Sequence, residues 1–206
     1  MRKIGIFGGT FNPIHRGHIH IARAFFEHLH LDSVLIIPTQ VPVHKAPQGL
    51  ISGEERLEMC RIAARNDPHF FVSAIEVERK EKSYTYLTIQ RLRERYPDAA
   101  LYLIMGSDMF LSFTTWYRYR DILQEATLCA AARKNRQQEE LAACARRLRE
   151  EGGRCVVLDL NVVDISSTEL RARIQAGDDV SGYLDGAVED YIRERGLYGH
   201  GAQSGK

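Results

Sequence analysis

The chain has little of what marks several other protein classes. Its 206 residues include one tryptophan, six prolines and four cysteines, and its formal net charge is only +1. A near-neutral balance does not suit a surface built for long nucleic acid, so we expect any nucleotide partner to be monomeric. No apolar run approaches the length of a membrane span, and the start lacks the charged-then-apolar layout of a secretory signal. We therefore expect no membrane partner.

The spacing of the cysteines argues against two further kinds of protein, those held by disulfides and those built around zinc. They are widely spaced and contain no Cys-x-x-Cys pair: Cys60, Cys129, Cys144 and Cys155. This pattern is typical of free thiols in a reducing compartment, and not of a disulfide framework or a zinc site. We expect a cytoplasmic protein, and the sequence leaves open whether it forms a homo-oligomer.

Apolar, β-branched runs alternate with amphipathic segments along the chain. The runs are continuously apolar, as in strands that are buried on both faces of a parallel sheet. The predicted strands are residues 3–7, 33–37, 70–73, 101–105, 127–131 and 155–158. The predicted helices are residues 17–29, 53–66, 84–96, 139–151, 170–175 and 187–195. This alternation predicts an α/β protein with a doubly wound parallel sheet, right-handed crossovers and a small C-terminal helical part.

Local signals support the helix boundaries and the domain organisation. Ser52 with Glu55, and Ser166 with Glu169, have the spacing of capping boxes. We find no internal repeat and no strong linker, so residues 1–198 are predicted to form one domain. Residues 199–206 contain Gly and Ser and are predicted to form a disordered tail.

Residues 4–18 are the most informative part of the sequence. An apolar run ends in Gly8-Gly9-Thr10, and His15-x-x-His18 opens the first predicted helix. Glycines after a strand let backbone N–H groups approach a ligand, and a helix N-terminus favours negative charge. In a doubly wound sheet, ligands bind beyond the carboxyl ends of the strands, where this loop would lie. We therefore predict a site for the phosphates of a nucleoside triphosphate.

The histidines also raise the alternative of a metal site. His15, His18 and His20 lie close together, but His18 and His20 point to different sides of a helix, and no carboxylate or cysteine stands nearby. We therefore expect no metal held by the protein itself. His20, His28 and His30 are expected to be surface or helix-packing residues.

Further motifs follow in a fixed order. They are Pro42-Val43-His44-Lys45, Ser83-Tyr84-Thr85, Met105-Gly106-Ser107-Asp108, Trp116-Tyr117, Ile165-Ser166-Ser167-Thr168 with Arg171, and Arg195-Gly196-Leu197-Tyr198. Together with Gly-Gly-Thr-Phe-Asn-Pro and His-x-Gly-His, this set resembles the nucleotidyltransferase superfamily. Within that superfamily it resembles the bacterial nicotinate-nucleotide adenylyltransferases, over nearly the whole chain and with a Rossmann-like fold implied.

The resemblance implies an activity and an ATP site. Members of this family transfer the adenylyl group of ATP to nicotinate mononucleotide in NAD biosynthesis, which gives nicotinic acid adenine dinucleotide and pyrophosphate. The implied catalytic residues are Thr10, His15, His18 and Arg171. The implied ATP-binding residues are Gly8, Gly9, Thr10, His15, His18, Gly106, Asp108, Arg133, Ser166, Ser167 and Arg171. The implied cofactor is Mg²⁺, bound through the ATP phosphates.

The resemblance also implies a site for nicotinate mononucleotide, the acceptor. Its implied residues are His44, Lys45, Ser83, Thr85, Trp116 and Tyr117. In the family, the mononucleotide phosphate lies near the first two, backbone amides near Thr85 and Tyr117 receive the ring carboxylate, and Trp116 stacks on the ring. From the residues alone, a solvated loop residue is the favoured interpretation of Lys45, and Asp108 could equally be a helix N-cap.

Two departures and two alternatives accompany the resemblance. Asn12 stands where relatives often have Asp, which removes a negative charge beside the expected phosphates. Arg133-Lys134-Asn135 stands where relatives commonly have Arg-Pro-Gly, which puts the shape of that loop in doubt. One alternative function is adenylyl transfer to another acceptor, either nicotinamide mononucleotide or phosphopantetheine. The other is a non-catalytic nucleotide sensor.

Overall fold

Six parallel strands form the centre of the described part of the chain. A computed structural model describes residues 1–40, 49–79, 82–132, 135–160 and 165–199, with only the backbone described at 135–137. The strands are β1 Lys3–Gly9, β2 Ser33–Pro38, β3 Phe70–Val72, β4 Ala100–Gly106, β5 Ala126–Ala132 and β6 Arg154–Asp159. Every neighbouring pair is parallel.

The strand order places β1 in the middle of the sheet. The order is β3-β2-β1-β4-β5-β6, so the chain first builds outward from β1 and then returns to its other side. Ile6 of β1 pairs with Leu35 on one side and with Leu103 on the other. The carboxyl ends of β1 and β4 therefore meet at the switch point, where doubly wound sheets bind their ligands.

Helices cover both faces of the sheet. They are α1 Arg16–Leu29, α2 Gly53–Ala64, α3 Thr85–Arg95, α4 Ser107–Leu111, α5 Tyr119–Glu125, α6 Asn135–Glu150, α7 Ser167–Ala176 and α8 Gly186–Glu194. All six predicted strands and all six predicted helices are confirmed, with differences at their ends. The sequence analysis missed α4 and α5, and α6 begins four residues earlier than predicted.

Two apolar layers lie on opposite faces of the sheet. One contains Phe25 of α1, Met59 of α2 and Ile192 of α8. The other contains Ile89 of α3 and Phe110 of α4. Successive apolar residues of β2, β4 and β6 contribute to opposite layers, because side chains alternate along a strand. The doubly wound fold predicted from the sequence is confirmed.

The predicted helix caps are present. Ser52 Oγ accepts a hydrogen bond from the backbone N–H of Glu55 at 3.1 Å. Ser166 and Glu169 form a complete capping box at the start of α7, which ends at Gly177 in the left-handed conformation. Such reciprocal caps satisfy backbone groups that a helix end leaves without partners.

Three further predictions concern the whole chain. All four cysteines are buried and free. Within the residues described, no helix has the length and apolar character needed to cross a bilayer. Leu197–Gly199 forms a short 3₁₀ helix that includes the first residue of the expected tail. The remainder of that tail, residues 200–206, lies outside the described residues.

Candidate active site

A cleft of about 330 Å³ opens at the carboxyl edge of the sheet, between the ends of β1 and β4. Its lining includes seven residues predicted to bind substrates: Gly8, Gly9, Thr10, Ser83, Thr85, Gly106 and Trp116. Residues that are far apart in the sequence, and that were assigned to two different substrates, thus meet in one space. The cleft is therefore the candidate active site.

Gly8 and Gly106 keep this cleft open. Neither has the positive φ that would demand glycine. A Cβ atom added to either would meet no protein atom within 4 Å. Packing and backbone conformation therefore do not explain glycine at these two positions. Close approach of a ligand to the backbone does explain it.

Gly9 has a different role. A Cβ atom there would lie 2.9 Å from Cζ of Phe11, so this glycine lets the Phe11 ring pack under the strand end. Phe11 is buried and adopts a positive φ of 47°. Its ring contacts Phe7 edge-on at 5.4 Å and His18 at 5.1 Å between centroids. Phe11 therefore packs the turn after β1 against the start of α1.

The two motif histidines are neighbours at the N-terminus of α1. His15 is the N-cap residue and is buried, and its ring centroid lies 3.7 Å from that of His18. The backbone N–H of His15 donates to Nδ1 of His18 at 3.2 Å. Because Nδ1 accepts this bond, we infer that the neutral His18 ring has its proton on Nε2. His18 can therefore donate a hydrogen bond to an anion.

The phosphate loop, residues 8–13, is held from behind by side chains. Arg56 donates to the carbonyl of Thr10 at 2.7 Å, and Arg171 donates to that of Asn12 at 2.9 Å. Ser167 Oγ donates to the carbonyl of Pro13 at 3.1 Å. Three carbonyls of one short loop are thus fixed by groups on α2 and α7. A loop fixed in this way is preorganised for a ligand.

Asn12 supports the loop and is fully buried beneath it. Its Nδ2 donates to the carbonyl of Gly49 at 3.0 Å, and its Oδ1 accepts from the hydroxyl of Tyr198 at 2.8 Å. An aspartate could not donate to Gly49, so this network needs the amide. Asn12 therefore matters here through its hydrogen bonds. The effect of the lost negative charge on phosphate binding stays a prediction.

The predicted acceptor segment, residues 83–85, contributes Ser83 and Thr85 to the same cleft as the phosphate loop. Ser83 is buried, and its Oγ accepts from the backbone N–H of Gln40 at 3.0 Å. Thr85 is the first residue of α3, whose N-cap residue Tyr84 supplies no side-chain cap. A helix that starts without such a cap has first-turn N–H groups available for a ligand.

Aromatic rings surround the acceptor segment. Trp116 is partly buried, lines the cleft and packs against Phe113 with ring centroids 5.4 Å apart. Tyr117 is 54% exposed and contacts the ring of Tyr84 at 4.9 Å. Trp116 therefore lines the cleft, whereas the predicted site residue Tyr117 is not among the lining residues.

A buried polar cluster beneath the acceptor segment was missed by the sequence analysis. The Thr88 hydroxyl donates to Glu76 Oε1 at 2.5 Å and accepts from Arg79 at 3.1 Å. Burial raises the pKa of Glu76, and the hydrogen bond from Thr88 only partly opposes this shift. The motif letters around residue 83 do not reveal this cluster, because Glu and Arg usually lie at the surface.

The remaining predicted residues have varied surroundings. Asp108 is exposed in the first turn of α4, but the N-cap residue of that helix is Gly106, so the N-cap interpretation of Asp108 is wrong. Ser166 caps α7, and the buried Arg171 donates to the carbonyls of Asn12 and Ser167. The contacts of these residues with a nucleotide stay predictions. His44, Lys45 and Arg133 lie outside the described residues.

Arg56 is the clearest residue that the sequence analysis overlooked. It lies in α2 beside Gly53, Leu57 and Cys60, on the buried face of the helix. The signal available in the sequence was an arginine on the apolar face of a predicted helix, because arginine is rarely buried unless its charge has partners.

Comparison with known proteins agrees with this geometry. The family model described as cytidylyltransferase-like matches residues 6–173. The fold and the site point to the same class of protein. The parallel sheet has its cleft at the switch point, and a glycine loop precedes the paired histidines. That class is the α/β nucleotidyltransferases.

Curated relatives narrow the class. A probable nicotinate-nucleotide adenylyltransferase of Neisseria meningitidis serogroup B is 38% identical over 202 residues, which cover 96% of this chain and 99% of the relative. One of Lachnoclostridium phytofermentans is 34% identical over 199 residues, which cover 96% and 100%. The chain belongs to the family of nicotinate-nucleotide adenylyltransferases.

Solved structures share the fold. The nicotinic acid mononucleotide adenylyltransferase of Plasmodium falciparum, complexed with NaAD, aligns with a TM-score of 0.80 at 19% identity. The alignment covers 98% of this chain and 100% of that one. At this identity the likeness supports the architecture and not the roles of single residues.

Proposed function

We propose that the chain transfers the adenylyl group of ATP to nicotinate mononucleotide, as a cytoplasmic step of NAD biosynthesis. The products are nicotinic acid adenine dinucleotide and pyrophosphate. The observation that carries the proposal is the cleft that joins the phosphate loop to the acceptor segment and Trp116. The names of the relatives and the four free thiols support it.

The reaction needs alignment more than acid–base chemistry. A phosphate oxygen of the mononucleotide attacks the α-phosphorus of ATP, a new P–O bond forms, and the bond from the α-phosphorus to the bridging oxygen breaks. Pyrophosphate leaves with that bonding electron pair. The attacking oxygen is already anionic, so the protein need not remove a proton from it. Positioning and charge stabilisation then account for the catalysis.

The proposed roles follow the positions of the residues. The backbone at Gly8 and Gly9, together with Thr10, holds the phosphate chain. His18 donates from Nε2 to the α-phosphate, where charge develops, and His15 lies toward the β-phosphate. The N-terminus of α7, with Ser166, Ser167 and Arg171, lies next to the loop and suits the leaving phosphates.

We propose Mg²⁺ as the cofactor, held by ATP phosphate oxygens and water. An ion held in this way needs few or no protein ligands. Bound Mg²⁺ would neutralise charge on the leaving pyrophosphate. Excess chelator should abolish activity, and Mg²⁺ should restore it. The melting temperature of the ligand-free protein should not change, whereas loss of a structural metal would lower it.

Choice of acceptor is the sharpest test of the proposal. Nicotinate mononucleotide has a ring carboxylate where nicotinamide mononucleotide has an amide. Two backbone donors near Thr85 and Tyr117 would be worth about 3–5 kcal/mol to the carboxylate over the amide. We therefore expect kcat/KM, measured by pyrophosphate release, to favour nicotinate mononucleotide by about two to four powers of ten. Trp116→Ala should weaken both acceptors alike, because stacking on the ring does not depend on the substituent.

Three outcomes would contradict the proposal. Equal values, or a preference for the amide, would refute the choice of acceptor and leave adenylyl transfer intact. Pyrophosphate release only with phosphopantetheine would assign the chain to a different acceptor class. ATP binding without turnover of any acceptor would favour the non-catalytic sensor.

A further inference from the structure

Arg56 is completely buried and makes an unusual set of contacts. Its guanidinium donates to three backbone carbonyls, those of Thr10 at 2.7 Å, Gln40 at 3.0 Å and Ile51 at 3.2 Å. Among the described side chains, no carboxylate forms an ion pair with it. The positive charge is therefore balanced by peptide dipoles from two connections, that between β1 and α1 for Thr10 and that between β2 and α2 for Gln40 and Ile51.

Keeping this charge in the core is costly. Burial lowers the pKa of Arg56 from its usual value, which reflects the loss of hydration. An apolar side chain could fill the same volume without that penalty. Arginine offers what an apolar residue lacks, a rigid planar fork with donors in several fixed directions. The directions of its bonds are therefore the property that explains its presence.

Two of the three carbonyls follow the ends of the neighbouring strands β1 and β2. Thr10 is in the phosphate loop. The backbone of Gln40 leads to the acceptor side, because its N–H donates to Ser83 Oγ at 3.0 Å while its carbonyl accepts from Arg56. Arg56, Gln40 and Ser83 thus form a continuous hydrogen-bonded chain from the phosphate loop to the acceptor segment. Thr10 and Ser83, at the two ends of this chain, both line the cleft.

We propose that Arg56 is a positioning residue for adenylyl transfer, which fixes the distance between the loop that holds ATP and the segment that holds the acceptor. This inference rests on the proposed function. A guanidinium that sets this distance affects the alignment of the two substrates more than the binding of either one. Its loss should therefore lower kcat far more than it raises the dissociation constants.

Arg56→Lys tests this, with Arg93→Lys as its matched control. Arg93 is only partly buried and also pairs with the Glu125 carboxylate, but like Arg56 it donates to three backbone carbonyls, those of Pro97, Ala99 and Glu125. Two of these residues directly precede β4, at the edge of the sheet opposite the cleft. Both variants replace a fork by a single ammonium group and should lower the melting temperature. Only Arg56→Lys should change the reaction.

We expect kcat of Arg56→Lys to fall about 100-fold, measured well below its melting temperature, since a displacement of about 1 Å has such an effect. The dissociation constants of a non-hydrolysable ATP analogue and of nicotinate mononucleotide, measured separately by calorimetry, should each change by less than about a tenth of that factor. Arg93→Lys should keep the wild-type kcat. If the two variants have equal kcat values, the proposal is wrong.

A second variant covers the case in which Arg56→Lys does not fold. Ser83→Ala removes the acceptor for the Gln40 N–H at the far end of the same chain, with a smaller change in volume. Its kcat should fall about 10-fold with little change in ATP affinity, and an unchanged kcat would overturn the proposal. The wild type separates the two hypotheses. An inactive wild type would overturn the proposed function together with this role, whereas an active wild type with unimpaired variants overturns this role alone.

Discussion

Substituting Gly8 by alanine should raise the stability of the protein and lower its activity. Gly8 lines the cleft, its φ is not positive, and its added Cβ would have no neighbour within 4 Å. The folded chain therefore has no steric need for glycine here. Alanine restricts the unfolded chain, so Gly8→Ala should raise the free energy of unfolding by about 0.4–1 kcal/mol. For a domain of this size, the melting temperature should rise by roughly 1–4 °C.

The same methyl group should impair catalysis. It would occupy space in which the phosphates must approach the backbone. A shift of the nucleotide by about 1 Å would lower kcat about 100-fold and weaken ATP binding as well. Thermal unfolding without ligand, calorimetric titration with ATP and pyrophosphate release would measure the three quantities on one preparation.

Gly5→Ala in the same strand is the control. Its Cβ would lie 2.9 Å from Cδ1 of Leu31, 3.1 Å from Val34 and 3.2 Å from Ile104, so the core would be overpacked. This variant should lose about 1–3 kcal/mol of stability and keep its activity at low temperature. If Gly8→Ala bound ATP and turned over like the wild type, the cleft would not be the phosphate site. A clear fall in its melting temperature would refute the steric reasoning.

Two further predictions concern titratable side chains. His18→Ala should lower kcat roughly 10²–10³-fold, as when one donor to a developing charge is removed. His20→Ala changes an exposed position and should leave kcat nearly unchanged. Equal losses of kcat in the two variants would contradict the role of His18. Because the pKa of Glu76 is raised above its usual value of 4.5 in the folded protein, its contribution to the free energy of unfolding is complete below that value and is lost as the pH rises through the folded pKa. Urea titrations from acid to neutral pH should therefore show the stability of the wild type falling relative to that of Glu76→Gln, and a difference independent of pH would rule this out.

The parallel sheet could be predicted because its strands are buried on both faces. Such strands leave continuous apolar runs in the sequence, and each run predicted a strand that the structure contains. The two missed helices are short, α4 with five residues and α5 with seven. Segments of that length show too few turns for a helical period to be visible.

The predicted glycines and several motif residues line one cleft, whereas the sequence analysis did not anticipate Arg56 or the hydrogen bonds of Asn12. Asp108 follows a strand like an N-cap residue, yet α4 begins directly at the strand end and leaves the capping position to Gly106. Asn12 and Arg56 bind mainly backbone carbonyls and residues far along the chain. Every residue has a backbone carbonyl, so the residue types in a sequence do not show which carbonyls will accept hydrogen bonds from a distant side chain.

The bond between Tyr198 and Asn12 joins residues 186 positions apart, which has a consequence for synthesis on the ribosome. At about 5–20 residues per second, roughly 10–40 s pass between the emergence of the glycine turn and that of its last support. Arg171 and Ser167 also arrive late. A nascent or prematurely terminated chain would therefore have the nucleotide motif without the groups that hold it in shape. Competence to bind ATP should appear only after Tyr198 has emerged, so that products that end before this residue do not sequester the nucleotide.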